Sequence, residues 1–216
     1  MKIVEYVDHM GCDSSVVNAA RVSFAKDSTL YTEAANAKLI SYLARHNHWS
    51  PFAHTSISMR FKAPVFIARQ LAKHQVGFAW NEVSRRYIDF VPECWVPNTF
   101  RMRAENKKQG SSEEIVNDPD LLVQYKNMCS ASLLMYDRLL EKGVCPEQAR
   151  AVLPQSMYTE WIWTGSLYAW ARMYELRSSD TAQAEVRDYA RAVSAVCLNL
   201  FPVSWKALTS AVPVVV

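Results

Sequence analysis

The sequence predicts an α+β fold in which an antiparallel sheet packs with long helices in a single domain covering residues 1–216. Three observations lead there. Segments of helical period share the chain with a segment of strict strand alternation. No strand-helix-strand unit recurs, as a parallel sheet would require. Half of the 216 residues are hydrophobic, enough to bury a full core. No internal repeat or low-complexity tract interrupts the pattern.

In chain order, residues 2–7 read as a short strand. Asp13 then offers an N-cap to a helix with Val16, Val17 and Ala20 on one side, which runs on into Arg21-Val-Ser-Phe24. A second helix starts near Thr32, with Glu33 in its first turn. It places Ala35, Leu39, Ile40 and Leu43 on one face and ends around His46 to His48. From 52 to 62 the chain alternates, with Thr55, Ile57, Met59 and Phe61 pointing one way and His54, Ser56, Ser58 and Arg60 the other. That is the mark of a half-buried antiparallel strand. Pro64 suits the first turn of a helix, where its missing N–H would have no partner, and the helix is expected to run to about His74. Arg69, Gln70, Lys73 and His74 share one arc of it with Phe66, opposite Ile67, Ala68, Leu71 and Ala72.

Residues 100–119 are rich in Lys, Arg, Gln, Ser and Glu without periodicity and read as a solvated loop or lid. Residues 120–142 form an amphipathic helix with Leu121, Tyr125, Met128, Met135 and Leu139 near one stripe, closed by Gly143. Pro146 starts a short helix that Pro154 ends. Residues 156–177 read as a helix whose Trp161, Trp163, Trp170 and Tyr174 face almost every direction, which suits burial on all sides or a subunit contact. Asp180 followed by Gln183 resembles a capping box opening a last helix through Val186, Tyr189, Val193, Val196 and Leu200.

Bulk properties narrow the function. A net charge of +3, from 24 basic and 21 acidic residues, gives little general grip on nucleic acid. Arg101, Arg103, Lys107 and Lys108 form the stretch such a function would use. The five cysteines (Cys12, Cys94, Cys129, Cys145 and Cys197) are widely spaced and form no C-x-x-C pair, which points to a reducing cytoplasm and away from zinc. His46, His48 and His54 make an H-x-H-x5-H pattern that no cysteine or clustered carboxylate completes, so no metal site is expected. The opening residues lack the apolar core of a signal peptide, and no apolar run approaches the ~20 residues of a membrane span. A cytoplasmic protein without membrane or nucleic-acid partners is expected.

Chemistry concentrates in the nineteen residues from Arg69 to Tyr87, which pack Arg69, Lys73, His74, Glu82, Ser84, Arg85 and Arg86 among amides. Arg and Lys suit phosphate, amides suit a base edge, and Glu82 and Ser84 can meet a sugar or ring. By composition alone the run reads as a charged helix followed by a salt-bridged turn, with the ligand site as the alternative.

The run Phe66-Ile-Ala-Arg-Gln, then Lys73-His74-Gln75, then Asn81-Glu82-x-Ser84-x-Arg86-Tyr87 resembles the signature of the flavin-dependent thymidylate synthases, usually written R-H-R-x7-S. Further landmarks of that family recur in order: Ala19-Ala-Arg-Val-Ser-Phe24, His48-x-Ser50-Pro51-Phe52-x-His54, Ala149-Arg150-x-Val-Leu-Pro154, Tyr158-Thr-Glu, and Leu176-Arg177-x-x-Asp180-x-Ala-Gln183. Departures are equally specific. Lys73 and Gln75 stand where the motif has arginines, and eight residues rather than seven separate Gln75 from Ser84. Ser166, Tyr168 and Arg172 stand where the family usually has Asn, Arg and Asn, and Thr181 replaces a usual His.

The resemblance implies an enzyme that methylates dUMP to dTMP. Its carbon comes from 5,10-methylenetetrahydrofolate and its hydride from FAD reduced by NADPH, in a homotetramer whose active sites are built at subunit interfaces. It implies that Ser50, Lys73, His74, Gln75, Glu82, Ser166 and Arg172 border the flavin. Gln70, Lys73, Glu82, Ser84, Arg85, Arg86, Arg150 (from a neighbouring chain) and Arg177 would then hold dUMP. Arg177 would be the catalytic residue, its fixed cation favouring charge on the uracil ring. None of the five cysteines sits in an activating setting, so no thiol nucleophile is expected. The alternative is a catalytically silent nucleotide- or flavin-binding module that keeps the phosphate site without turnover.

Overall fold

Residues 3–105 and 110–210 are described by a computed structural model. The element order mixes strands β1 (Val4–Met10), β2 (Ser56–Pro64), β3 (Phe78–Glu82), β4 (Arg101–Arg103), β5 (Ser111–Ile115) and β6 (Tyr158–Gly165) with helices throughout. The helices are α1 (Asp13–Arg21), α2 (Glu33–Arg45), α3 (Ser50–Ala53), α4 (Val65–Leu71), α5 (Pro119–Glu141), α6 (Pro146–Ala149), α7 (Leu167–Ser178), α8 (Ala184–Leu200) and α9 (Pro202–Ser210). One sheet runs in the order β1-β2-β6-β3, and β4 and β5 form a second, two-stranded antiparallel ribbon. The architecture is α+β, as the sequence implied.

Two compact units share the chain: Met1–Phe61 with His74–Trp80 and Ile162–Val216, and Lys62–Lys73 with Asn81–Trp161. Three of the four boundaries fall inside β2, β3 and β6, and the fourth, between Lys73 and His74, follows α4.

In the first unit, β1 pairs antiparallel with β2 from Val4 opposite Phe61 to Met10 opposite Ser56, with a bulge between Tyr6 and Asp8. Lys2, the expected start of β1, lies outside the described residues. The alternation read from 55 onward holds: Ile57, Met59 and Phe61 are fully buried. Its start does not, because Pro51 and Phe52 belong to the short helix α3, where Pro51 sits comfortably in a first turn.

The largest correction concerns residues 156–177. They form a strand and a helix, not one helix. Thr159, Trp161, Trp163 and Gly165 alternate inward with period 2, and Gly165 ends the strand where a Cβ would run into the Phe78 ring. Ser166 then caps α7, its Oγ accepting from the Ala169 N–H at 3.2 Å. Rings explain the density: Trp163 stacks on Phe78 at 4.4 Å, and the Trp170 Nε1–H donates to the Ile57 carbonyl at 3.1 Å.

Helix α8 begins at Ala184 behind an N-cap at Gln183, so the expected capping box is absent, and Asp180 instead pairs with Arg187 at 3.4 Å. Its stripe of Val186, Tyr189, Val193 and Cys197 is buried at helical spacing. Asp13 is the first residue of α1 rather than its cap. Its carboxylate accepts the Val203 and Ser204 N–H groups at 2.9 and 2.8 Å, capping α9, a helix beyond the last one the sequence implies.

In the second unit, α4 is shorter than expected. It ends at Leu71, leaving Lys73 beyond the helix, while Ile67, Ala68 and Leu71 are buried as the pattern required. The orphan N–H groups of Val65 and Phe66 donate to the carbonyls of Met157 and Gln155 at 2.9 and 3.1 Å. Helix α5 starts one residue before the expected 120, at Pro119, and Asp118 caps it by accepting from the Asp120 and Leu121 N–H groups. Cys129 and Tyr136 form its buried line, whereas Met128 and Met135 of the expected stripe are exposed. The segment expected as a loop from 100 to 119 carries β4 and β5, an exposed ribbon whose strands, three and five residues long, are too short for a period-2 pattern to register. Lys107 and Lys108 lie outside the described residues.

Candidate active site

Polar side chains gather in two places, one in each unit. In the second unit the Val83 N–H donates to the Glu160 carbonyl at 2.9 Å, holding the end of β3 to β6. The chain then turns, with the Tyr87 N–H on the Ser84 carbonyl at 3.0 Å, and presents Ser84, Arg85 and Arg86 in succession. Pro146 starts α6, and the single 3-10 turn after it carries Arg150 to the same place. Glu82, Ser84, Arg85, Arg150 and Thr159 thereby line a cleft of about 720 Å³ with apolar walls from Val65, Leu153 and Met157. Thr159 Oγ1 donates to Glu82 Oε1 at 2.7 Å and so fixes the carboxylate. Arg85 lies over the Phe90 ring at 4.7 Å and donates to the Phe90 carbonyl. Arg86 pairs with Glu147 at 3.5 Å and donates to Tyr87 Oη at 2.8 Å.

A volume of this size is in the range of small-molecule sites, and two guanidinium groups beside the hydroxyls of Ser84 and Thr159 and the carboxylates of Glu82 and Glu147 suit a phosphorylated, hydrogen-bonding ligand. Arg150 of this chain is among the residues that line the cleft.

In the first unit, Gly77 takes φ +78°, which favours glycine, and its carbonyl accepts the Ser166 N–H at 3.2 Å. A Cβ on Gly77 would stand 3.0 Å from that of Ala169, so this turn packs against the start of α7 and carries His74 with it. His74 Nε2 accepts from Arg177 Nε at 2.9 Å, and the ring lies 6.5 Å from that of Trp163. Burial, then the charges of Arg177 and Arg172, push the His74 pKa down to about 4. The imidazole is therefore neutral near pH 7, and because a guanidinium can only donate, its proton sits on Nδ1. Burial also lowers the pKa of Arg177, which stays a cation.

The remaining expected residues are more scattered. Arg172 lies over the Tyr168 ring at 6.0 Å, and Tyr168 lies 6.2 Å from the exposed Trp49. Ser50 is exposed at the start of α3, Lys73 and Gln75 are exposed on either side of His74, and Gln70 is half-buried on α4. Ser166 Oγ is committed to capping α7. Among the described residues no group of three or more His, Cys, Asp or Glu gathers to hold a metal, and no helix is long and apolar enough to cross a membrane.

Residues 5–203 match the Thy1 family, thymidylate synthase complementing protein. A flavin-dependent thymidylate synthase of Thermus thermophilus is 39% identical over 204 residues, covering 94% of this chain and 74% of that protein. That of Kosmotoga olearia is 38% identical over 208 residues, covering 94% and 88%. This chain belongs to the flavin-dependent thymidylate synthase family. Among solved structures, the UMP/dUMP methylase PolB of Streptomyces cacaoi, bound with 5-Br dUMP, superposes with a TM-score of 0.84. It is 31% identical, over 96% of this chain and 94% of that one.

As a member of the flavin-dependent thymidylate synthases, the chain shows which side chains its motifs left unnamed. Thr159 lies inside the Tyr158-Thr-Glu landmark; the alternation of 159, 161, 163 and 165 marks the strand face it shares, but carries no signal of its partner Glu82. Glu147, the partner of Arg86, had no local signal, since its use depends on a contact sixty-one residues away along the chain.

Proposed function

We propose that this chain methylates dUMP to dTMP, with 5,10-methylenetetrahydrofolate as the carbon donor and NADPH as the source of reducing equivalents through FAD. The observation that carries the reading is the cleft in which Glu82, Ser84, Arg85 and Arg150 converge, inside a chain that matches this family along nearly its whole length. Arg85 and Arg150 take the phosphate, Ser84 and Glu82 the sugar and base, and Arg86 and Gln70 complete the nucleotide site.

Arg177 is the catalytic residue of this proposal, a half-buried cation that stabilises negative charge developing on the uracil ring so that C5 becomes nucleophilic. A flavin is assigned to the residues that the family resemblance marks for it. The neutral His74 offers a donor at Nδ1, Arg172 and Arg177 offer positive charge, and Ser50, Lys73, Gln75, Glu82 and Ser166 complete the set. FAD, when bound and reduced, supplies the hydride. Positive charge near it comes from the arginines and Lys73, since His74 carries none near pH 7.

The reading takes residues 1–216 as one catalytic domain in a cytoplasmic homotetramer. Apolar surface for assembly is available at Val22, Phe24 and Leu30 and, separately, at Met128 and Leu134 on α5. Sedimentation should return four chains per particle. The deciding assay is dTMP formation from dUMP and methylenetetrahydrofolate with FAD present, NADPH supplied or omitted, and UMP offered in parallel. Product requiring both FAD and NADPH is expected. Binding of dUMP and FAD without product would replace the enzyme by a silent module.

A further inference from the structure

Arg177 closes α7, and its Nε–H is taken by His74 Nε2 at 2.9 Å. We propose that His74 is a positioning residue for Arg177, a neutral imidazole whose Nε2 lone pair sets the plane of the guanidinium that meets the pyrimidine. This rests on the role given to Arg177 above.

Direction comes first. An arginine side chain has no acceptor, so a short contact between Nε and an imidazole nitrogen fixes which partner donates. Nε, Cζ and both terminal nitrogens of the guanidinium are coplanar. One well-aligned bond at Nε, together with the side-chain stem, therefore orients the whole fork, where the same bond to a lysine would leave a rotating ammonium.

The imidazole is itself held. The turn that carries it is closed by the Phe78 N–H on the Gln75 carbonyl at 3.2 Å and by the tight approach of Gly77 to Ala169, while the fully buried Trp163 flanks the ring. Charge agrees with this geometry. Arg172 and Arg177 both act on His74, so an added proton would place a third positive charge among them and put an N–H where Arg177 needs a lone pair. Bordering a flavin would ask only that His74 be near that ligand. Accepting from Arg177 makes it part of how the pyrimidine is held.

The test is a double-mutant cycle on dUMP affinity, measured by calorimetry at saturating FAD for wild type, His74→Phe, Arg177→Ala and the double variant, with His74→Gln as the conservative replacement. His74→Phe keeps a ring of similar size and removes the acceptor. It should weaken dUMP binding about tenfold or more, but less than threefold further when Arg177 is already alanine. His74→Gln, whose Oε1 can accept near the Nε2 position, should recover most of the loss. Equal effects of His74→Phe with and without Arg177, or His74→Gln no better than His74→Phe, would overturn the proposal. Flavin retention, read from visible absorbance in the same samples, separates a flavin contact from the positioning role. Turnover by wild type in the same preparation tests the reaction itself. If wild type binds dUMP but forms no dTMP, the reaction falls and the cycle still decides His74.

Discussion

The cleft around Glu82 and Arg150 and the cluster around His74 and Arg177 use the same residue types in opposite surroundings. At the cleft the charges face water: the lining Glu147 side chain is 63% exposed, and Arg86, which pairs with it at 3.5 Å, is 44% exposed. In the cluster Arg177 is half-buried, and the group on its Nε is a neutral imidazole rather than a carboxylate. Solvent screens the first arrangement, which suits it to capturing a mobile anion and makes each contact individually modest. Removal from water strengthens the second and makes its bonds directional, as charge stabilisation on a reacting ring needs.

The contrast can be broken at several points. Arg177→Ala should have the largest effect, about 10²-fold to 10³-fold in kcat with flavin still bound, the loss typical of a preorganised group acting on developing charge. Loss of FAD in place of turnover would move Arg177 into the flavin site. Arg150→Ala should be felt mainly as a rise in KM for dUMP, about tenfold to a hundredfold with a smaller change in kcat, because a charge-assisted phosphate contact acts on bound substrate and transition state alike. Steady-state kinetics over a range of dUMP concentrations separates the two patterns.

A smaller difference concerns pH and stability. His74 titrates at about 4 in the folded chain against its ordinary 6.5. Between those values the unfolded chain holds a proton that the folded chain lacks, so stability falls as pH drops through this window and the loss levels off below it. For a half-buried ring the screened effect is about 1 kcal/mol. Thermal melts from about pH 7 to about pH 5 should show a steeper decline for wild type than for the non-titrating His74→Gln. Parallel slopes would return His74 to an ordinary surface histidine. Smallest of all, a double-mutant cycle on Arg86 and Glu147 should find a coupling of about 0.5 kcal/mol, vanishing at high salt.

Local patterns carried much of the fold. Val16 and Val17, the Thr32 cap and the inward line from Ile57 to Phe61 are where their periods put them, because each is decided by which face one element buries. The failure at 156–177 has a physical cause. Trp161, Trp163, Trp170 and Tyr174 are large enough to suggest burial in any conformation, and spread over a helical wheel they merely look buried all round. The period-2 line of Thr159, Trp161, Trp163 and Gly165 stops short, at the Ser166 cap. Met128 and Met135 misled for a related reason, since apolar spacing shows that a stripe exists but not which neighbouring line finds a partner.

The sequence by itself determined the reaction family and the residue types available for it, because ordered motifs and the chemistry of Arg, His, Glu and Ser side chains survive without coordinates. Only the tertiary structure decided the partnerships: Thr159 on Glu82, Glu147 on Arg86, Asp13 on the start of α9, and Arg177 on His74. Each joins residues too far apart in the chain for any local periodicity to register. The last also sets a protonation state, since the desolvation and neighbouring charge that keep His74 neutral exist only once the chain has folded around it.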